Sequence, residues 1–204
     1  ADAYLQTAYG PSATMNGYRS FIERYLMASE YLQALVDAKT YTQADISAYY
    51  DERAEEYAAS GIEKDDTNMV NVRHILITPT EQNEDGTYTD EAWAAAEQKA
   101  QELLRDWQSG EHTEDSFAVM AADSSDDPGS ASNGGLYEDV YPGQMVEAFN
   151  DWCFDAARKP GDTGIVKTDN GYHIMYFSST AEYPHWYKQA ENDYLNALSA
   201  TTTD

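Results

Sequence analysis

The sequence predicts an α+β fold in which a strand-containing segment is inserted between helical termini. Near both ends of the chain, apolar residues recur every three or four positions, which is the spacing of an amphipathic helix. Between them, short stretches show the period-two alternation of strands, and Asn170-Gly171 indicates a hairpin because both residues tolerate positive φ. With 204 residues, 42% hydrophobic and 13% aromatic, the chain can form one or two compact units with their own cores.

Three amphipathic helices are expected in the terminal regions. The first has an apolar stripe that includes Tyr18, Phe21 and Tyr25. The second begins after Thr42, whose hydroxyl can cap the free backbone amides while Asp45 faces the positive end of the helix dipole. Two helices bury too little apolar surface for an independent core, so we expect a helix near the C-terminus to complete a helical lobe. The expected helices cover residues 16–39, 42–61 and 187–198.

The inserted segment is expected to follow the order strand, helices, strand, helix, two strands. Its first strand has apolar residues at both alternating sets of positions, which indicates a strand that is covered on both faces. The strands with predicted bounds cover residues 72–77, 163–168 and 172–178, and the helices cover residues 90–109, 114–122 and 145–156. The predicted parts of the chain are an N-terminal helical lobe at 1–69, the insert at 70–180 and a C-terminal helix within 181–204 that completes the lobe.

The net charge restricts the partners that we expect. Twelve Lys and Arg stand against 37 Asp and Glu, which gives a net charge of −25 at pH 7. Long-range repulsion opposes binding to nucleic-acid phosphates and to anionic lipid, so we expect no nucleic-acid partner. Neither a signal peptide nor an apolar run of membrane-spanning length is found in the sequence. We therefore expect membrane contact only through an anchor or targeting segment absent from the given sequence.

Four motifs, in this order, resemble those of parvulin-type peptidyl-prolyl isomerases. They are Val72-Arg-His-Ile-Leu-Ile77, the stretch from Phe117 that ends in Ser125-Asp-Asp-Pro-Gly-Ser130, the stretch Asn133 to Phe149 and Gly171-Tyr-His-Ile-Met175. Each motif alone is weak, but the four in order span residues 70–178 without a large insertion. The resemblance implies a parvulin-like four-stranded antiparallel sheet with surrounding helices.

The resemblance also indicates polar site residues. The family carries a histidine pair on neighbouring strands at the places of His74 and His173, where the two are thought to orient the site through a mutual hydrogen bond. Asp127 falls where many bacterial members have Asp, and Thr168 is the hydroxyl expected in the site. A lone strand histidine is more often a satisfied core residue, and an Asp before Pro-Gly is ordinary turn chemistry. Since Asp126 adjoins Asp127, a register error of one residue stays open.

A ring pocket for proline is expected around Met145, Phe149 and Phe154, with Gln144 beside it. Rotation about an Xaa-Pro amide meets a barrier of ~18–20 kcal/mol and breaks no covalent bond. An isomerase therefore needs an apolar grip on the ring and a dry site that favours the twisted amide. Spacing alone favours ordinary core packing for these apolar residues. The sequence Gly143-Gln144-Met145 matches the family motif and favours the pocket.

Departures from the family pattern limit the expected substrates. Residues 78–91 include five acidic residues and no Lys or Arg, so specificity for phosphoserine-proline is not expected. Gly-Leu-Tyr-Glu at residues 135–138 replaces the usual Gly-Asp-Leu-Gly, so the substrate rim is expected to differ. An EF-hand alignment around Gly86 places Ala92 where a bidentate Glu is needed, and the histidines and Cys153 lack zinc-ligand spacing. We expect no metal or other cofactor, and a buried Cys153.

The resemblance as a whole implies an isomerase joined to a chaperone-like lobe, similar to bacterial extracytoplasmic foldases of the PrsA and SurA type. Its partners would be unfolded or newly exported polypeptides with Xaa-Pro bonds, and its location would be extracytoplasmic, at the cell surface or anchored in the membrane. Helical lobes of this type sometimes dimerise, so a homodimer is left open. The alternative is a non-catalytic holding chaperone or assembly factor whose parvulin-like domain binds extended peptide.

Overall fold

The computed structural model describes residues 2–37 and 41–201. The end of the first expected helix, residues 38–39, lies outside the described residues, as does the end of the predicted C-terminal part, residues 202–204. The helices are α1 (Asp2–Tyr9), α2 (Met15–Asp37), α3 (Gln43–Asp51), α4 (Ala54–Ala59), α5 (Asp90–Ser109), α6 (Glu114–Ser124), α7 (Glu147–Cys153) and α8 (His185–Thr201). The strands are β1 (Asn68–Ile77), β2 (Leu136–Val140), β3 (Thr163–Thr168) and β4 (Gly171–Pro184). The predicted α+β class is confirmed. Within the described residues, no helix has both the length and the apolar character needed to cross a membrane.

The chain divides into two compact units, and the first consists of Ala1–Lys64 together with Trp186–Asp204. In this unit Ile46 and Tyr50 on α3 and Tyr57 on α4 are buried. The Tyr57 hydroxyl donates to the Asp193 carboxylate on α8 at 3.0 Å, and Leu195 of the same helix is also buried. The stripes predicted for the second and third helices therefore contribute to the core of the unit. The stripe predicted for the first helix does not, because Tyr18, Phe21 and Tyr25 on α2 are exposed.

The single helix predicted for residues 42–61 is wrong, because the chain forms α3 and α4 instead. Thr42 does begin α3, with a reciprocal hydrogen-bonded cap between Thr42 and Asp45. At the break, the backbone N–H of Arg53 donates to Tyr50 O rather than to Tyr49 O. The Arg53 guanidinium donates to Tyr49 O instead, at 3.2 Å, and lies 3.7 Å from the centre of the Tyr49 ring. This arrangement satisfies the freed carbonyl and ends α3.

The second unit, Asp65–His185, contains an antiparallel sheet with the strand order β2-β1-β4-β3. Both faces of the sheet are covered, as the first strand's pattern predicted. Ile75, Ile77 and Ile174 lie in the cluster packed with residues of α5 and α6. Val72 and Met175 lie in the cluster packed with residues of α7. The sheet is thus a buried central layer, and its α7 side carries the candidate site described below.

The helix predicted for residues 145–156 is shorter than expected, since α7 spans only Glu147–Cys153. Val146 has an extended backbone, with ψ of 148°, and the Asn150 side chain accepts from Gly143 N at 2.7 Å. This turn places Met145 before the helix, and Phe154 follows it as the C-cap. The three apolar residues expected to form the proline-ring pocket, Met145, Phe149 and Phe154, therefore come from the helix and both its ends.

Two neighbouring glycines let the loop before β2 lie directly against β1. Gly135 has φ of +73°, and a Cβ there would lie 2.2 Å from His74 O. Gly135 O accepts from His74 N at 2.8 Å. Arg73 holds the same loop, because its Nη1 donates to Gly134 O at 3.0 Å while its Nε donates to Glu114 at 2.9 Å. A side chain at position 135 would displace the loop from the strand that carries His74.

We expect Gly135→Ala to destabilise the second unit much more than Gly161→Ala. Gly161 also has positive φ, +90°, but nothing lies within 4 Å of a Cβ placed there. The control therefore measures the left-handed backbone cost alone, about 1–2 kcal/mol, whereas Gly135→Ala adds a backbone clash of about 1–3 kcal/mol. Urea unfolding of both variants measures the difference. Equal losses of stability would show that the loop does not need this close approach.

Candidate active site

Two histidines face each other across the central strands of the sheet. His74 lies on β1 and His173 on β4, and their side chains are 3% and 5% exposed. Their Nδ1 atoms are 3.0 Å apart, and the two rings lie edge to edge at a centroid distance of 5.2 Å and an interplanar angle of 24°. The strand register sets this geometry, because Leu76 pairs with His173 and His74 with Met175, which brings the two imidazoles to the same face.

Asp127 reaches this pair from the loop that follows α6. Its Oδ2 lies 2.9 Å from His74 Nε2. The loop is fixed to the end of β1, since Asp126 N donates to Leu76 O at 2.8 Å and Leu76 N donates to Ser125 Oγ at 3.0 Å. Asp126 itself points elsewhere and accepts from Thr78 N at 2.9 Å. The geometry thus places Asp127 rather than Asp126 beside the histidines.

Thr168 ends the row on its other side. Its Oγ1 lies 2.8 Å from His173 Nε2 and also accepts from Asn170 N at 3.1 Å. The structure therefore brings the predicted polar residues into one continuous row, in the order Thr168, His173, His74 and Asp127. Thr168 is the last residue of β3 and Asn170 belongs to the hairpin turn, as the Asn-Gly signal predicted.

Hydrogen-bond donors and acceptors in this row fit one arrangement of protons when both imidazoles are neutral. An ionised Asp127 needs a proton on His74 Nε2, which leaves His74 Nδ1 as an acceptor. His173 Nδ1 must then carry its proton and donate to His74, so His173 Nε2 accepts from the Thr168 hydroxyl. Every hydrogen bond along the row therefore points toward the carboxylate of Asp127.

Two residues of the site were not identified from the sequence. Ser130 is fully buried, and its hydroxyl donates a short hydrogen bond to Asp127 Oδ2 and lies 3.1 Å from His74 Nε2. Tyr137 donates to the same Oδ2 at 3.0 Å, and its ring stacks on His74 at 5.0 Å. Ser130 closes the quoted Ser-Asp-Asp-Pro-Gly-Ser motif, and Tyr137 lies in the stretch that departs from the family pattern. Their positions in these two stretches were the sequence signals by which they could have been found.

The environment shifts the pKa of each ionisable group in the row. Burial lowers the pKa of His173 to about 4, with the neighbouring His74 as a second cause. Burial also lowers the pKa of His74, although the adjacent Asp127 acts in the opposite sense. For Asp127, burial raises the pKa, but hydrogen bonds from Ser130, Gly129, His74 and Tyr137 outweigh it and hold the pKa well below its usual value. The row therefore holds neutral imidazoles beside an ionised carboxylate.

Apolar side chains lie next to the polar row. The Phe149 ring is 3% exposed and meets both imidazoles edge-on, at centroid distances of 5.5 Å from His74 and 5.4 Å from His173. Met145 and Phe154 are partly buried and pack against the same cluster. Phe149 thus belongs to the core as well as to the site, and the two residues at the helix ends remain accessible.

Gln144 lies in the turn before α7, and Cys153 lies in the core. The exposed Gln144 uses its Oε1 to accept from Tyr141 N at 3.1 Å, which closes the turn before α7. Cys153 is buried as predicted, and burial raises the pKa of its thiol to about 12. Among the residues that the structure describes, no group of three or more His, Cys, Asp or Glu side chains could hold a metal ion.

The antiparallel four-stranded sheet, with its histidine pair and loop carboxylate beside an apolar cluster, is the arrangement implied by the resemblance to the parvulin class of proteins. The family comparison agrees with this class. Residues 59–180 match the family model of the PPIC-type PPIase domain, and the chain belongs to that family. The resemblance drawn from the four sequence motifs is confirmed.

Similar proteins carry foldase and chaperone names. The chain is 25% identical to foldase protein PrsA 1 of Listeria monocytogenes over 191 residues, which cover 94% of this chain and 52% of that protein. It is 36% identical to chaperone SurA of Pseudomonas putida over 110 residues, which cover 52% of this chain and 22% of that protein. The crystal structure of PrsA from Bacillus subtilis is 22% identical, with a TM-score of 0.46, and the match covers 98% of this chain and 64% of that chain. The chain spans about half the length, or less, of the curated relatives described here.

We expect the stability of the second unit to fall as the pH is lowered from about 6.5 to about 4. Because the folded pKa of His173, about 4, lies below its usual value of 6.5, the unfolded chain binds the proton first. The stability contribution is therefore complete above pH 6.5, is lost across this window and levels off below it. A shift of this size corresponds to a loss on the order of 3 kcal/mol. Urea unfolding at a series of pH values measures it.

His185 requires a matched background in this experiment, because burial lowers its pKa as well. We would compare His185→Asn with the double variant that also carries His173→Asn. The double variant should show a smaller loss of stability over the same pH window. An unchanged pH dependence would mean that His173 is not held neutral by the fold.

Proposed function

We propose that this protein is a peptidyl-prolyl cis/trans isomerase that assists the folding of other polypeptides. The observation that carries the proposal is the continuous hydrogen-bonded row from Thr168 to Asp127. Beside it lies Phe149, whose cluster also includes the partly buried side chains of Met145 and Phe154. Family membership supports the same reaction. The row and the apolar residues provide the two kinds of surface that amide rotation requires.

The apolar residues would bind the proline ring, with Phe149 as the floor and Met145 and Phe154 at the accessible edge. An environment of low polarity favours the twisted amide over the planar one, because the planar amide has the greater charge separation. No bond to the substrate needs to form. Gln144 would contribute through its turn, which positions Met145.

Asp127 would act through its charge rather than by proton transfer. Its two oxygens accept four hydrogen bonds, from Ser130, Tyr137, His74 and Gly129, and they hold the carboxylate ionised. In the planar amide the carbonyl oxygen carries more negative charge than in the twisted amide. A fixed negative charge near that oxygen therefore raises the energy of the planar state relative to the twisted one. The histidine pair would keep the carboxylate in place.

We propose that the clients are unfolded or newly exported polypeptides with Xaa-Pro bonds, without specificity for phosphate. The stretch from 78 to 91 has no basic residue, and an ionised carboxylate in the site would repel a phosphate dianion. The foldase and chaperone names of the relatives support polypeptide clients.

The resemblance to extracytoplasmic foldases supports a location outside the cytoplasm, with residues 1–69 and 181–204 in a chaperone-like role. A non-catalytic holding chaperone is not favoured, because every polar residue of the row is present.

Catalysis can be tested by the cis/trans exchange of short Xaa-Pro peptides, followed by NMR exchange spectroscopy without a coupled protease. We expect wild-type protein to accelerate exchange. Asp127→Asn should lower the enhancement at least tenfold or so, because it removes the charge and leaves hydrogen-bond donors facing an amide. Asp126→Asn is the matched control, since its carboxylate binds only Thr78 N among the polar contacts found. We expect this control to retain the wild-type rate.

The ring site can be tested in the same experiment with Met145→Ala and the control Val146→Ala, whose side chain is 53% exposed. The first variant should raise KM for the peptide, whereas the second should leave it unchanged. If a peptide demonstrably binds but wild-type protein gives no exchange enhancement, the isomerase proposal fails. If Asp126→Asn is the damaging variant, the site has been assigned in the wrong register.

A further inference from the structure

Tyr137 contacts both members of the histidine–carboxylate pair with one side chain. It lies on β2, where it pairs with Val72 of β1, and its ring stacks on His74 at an interplanar angle of 22°. Its hydroxyl reaches past this ring and donates to Asp127 Oδ2 at 3.0 Å. The side chain is partly buried and also packs against the apolar cluster beneath the site. A residue so placed can fix the distance between the imidazole and the carboxylate.

The other donors to Asp127 do not provide the same connection. Ser130 and Gly129 lie three and two residues away in the same loop, so their hydrogen bonds would move together with that loop. The hydrogen bond from His74 depends on the correct ring nitrogen carrying the proton. Only Tyr137, among the donors found, joins the carboxylate to a different strand without depending on the protonation of an imidazole. Burial, followed by the hydrogen bond to Asp127 and the charge of that carboxylate, raises the pKa of its phenol, so Tyr137 remains a donor.

We propose that Tyr137 is a positioning residue that fixes the Asp127 carboxylate against His74 Nε2 and thereby determines which nitrogen of His74 carries the proton. The role that this assigns to Tyr137 in amide rotation rests on the proposed isomerase function. Without the phenol, the carboxylate loses its tie to β2, and the His74 ring loses a constraint on the direction of its hydrogen bond. The proton on His74 can then exchange between Nε2 and Nδ1, which reverses the hydrogen bond to His173.

Tyr137→Phe tests this proposal because it removes the hydroxyl and keeps the ring stacked on His74. Nitrogen-15 NMR of the imidazoles should show His74 protonated on Nε2 in the wild-type protein and a mixture of both tautomers in the variant. The carbon-13 titration of the Asp127 carboxyl should move to higher pH in the variant, since a hydrogen bond to its ionised form is lost. In peptide exchange, kcat should fall roughly tenfold, the usual effect of losing one hydrogen bond to a charged group, while KM stays unchanged.

Tyr172→Phe is the matched control. The Tyr172 hydroxyl also donates to a carboxylate, that of Glu97 at 3.2 Å, and its ring belongs to the cluster on the other face of the sheet. This variant should leave the His74 tautomer, the Asp127 titration and kcat as they are in the wild-type protein. If both variants change these readouts equally, the effect is one of general stability and the proposal is overturned.

A second variant, Tyr137→Leu, removes the ring as well as the hydroxyl, and should alter the tautomer and the Asp127 titration at least as much as Tyr137→Phe. Wild-type values of both readouts in Tyr137→Phe would overturn the positioning role. The two NMR readouts do not need turnover. If wild-type protein fails to catalyse exchange, the isomerase function is refuted, while the tautomer and the titration still decide what Tyr137 does.

Discussion

The hydrogen bond between His74 Nδ1 and His173 Nδ1 is the interaction on which the candidate site depends. At 3.0 Å between two nearly buried rings, it is favourable only when exactly one of the facing nitrogens carries a proton. That requirement keeps the pair from becoming doubly charged and sets the direction of the neighbouring hydrogen bonds to Thr168 and Asp127. It also ties function to fold, because a register shift of one residue in β1 or β4 would move one imidazole to the opposite face of the sheet.

The loop that supplies Asp127 is hydrogen-bonded to β1 through Ser125 and Asp126. Gly135 lets the segment before β2 approach β1 closely. Arg73 donates to the carbonyls of Asn133 and Gly134 in that segment, and it also pairs with Glu114 on α6. These contacts fix the backbone after Ser130, whose hydroxyl meets the carboxylate of Asp127, and the hydrogen bonds of Ser125 and Asp126 to Leu76 fix the backbone before it. A preorganised negative charge changes the relative energies of planar and twisted amides without moving during the reaction. The rigidity of the loop is therefore part of the proposed catalytic device.

Much of this site could be predicted from the sequence, because the histidines and Asp127 lie in short motifs that resemble those of parvulin-type isomerases and follow one another in the same order. Tyr137 could not be identified in this way, since its contact with Asp127 depends on how β2 pairs with β1 across an irregular register. The length of α7 was misjudged because the Asn150 side chain, rather than apolar periodicity, determines the turn before the helix. Likewise, the break after α3 was not predicted, because it involves the hydrogen bond from the Arg53 side chain to the Tyr49 carbonyl. Periodicity carries no information on such side-chain to backbone contacts.

The most direct test of this account is nitrogen-15 NMR of the two imidazoles in the wild-type protein near neutral pH. The account predicts that His74 is protonated on Nε2 only and His173 on Nδ1 only, with a scalar coupling across the hydrogen bond that joins their Nδ1 atoms. An imidazolium at either position, a proton on His74 Nδ1, or the absence of that coupling would contradict the arrangement from which the roles of Asp127, Thr168 and Tyr137 are derived.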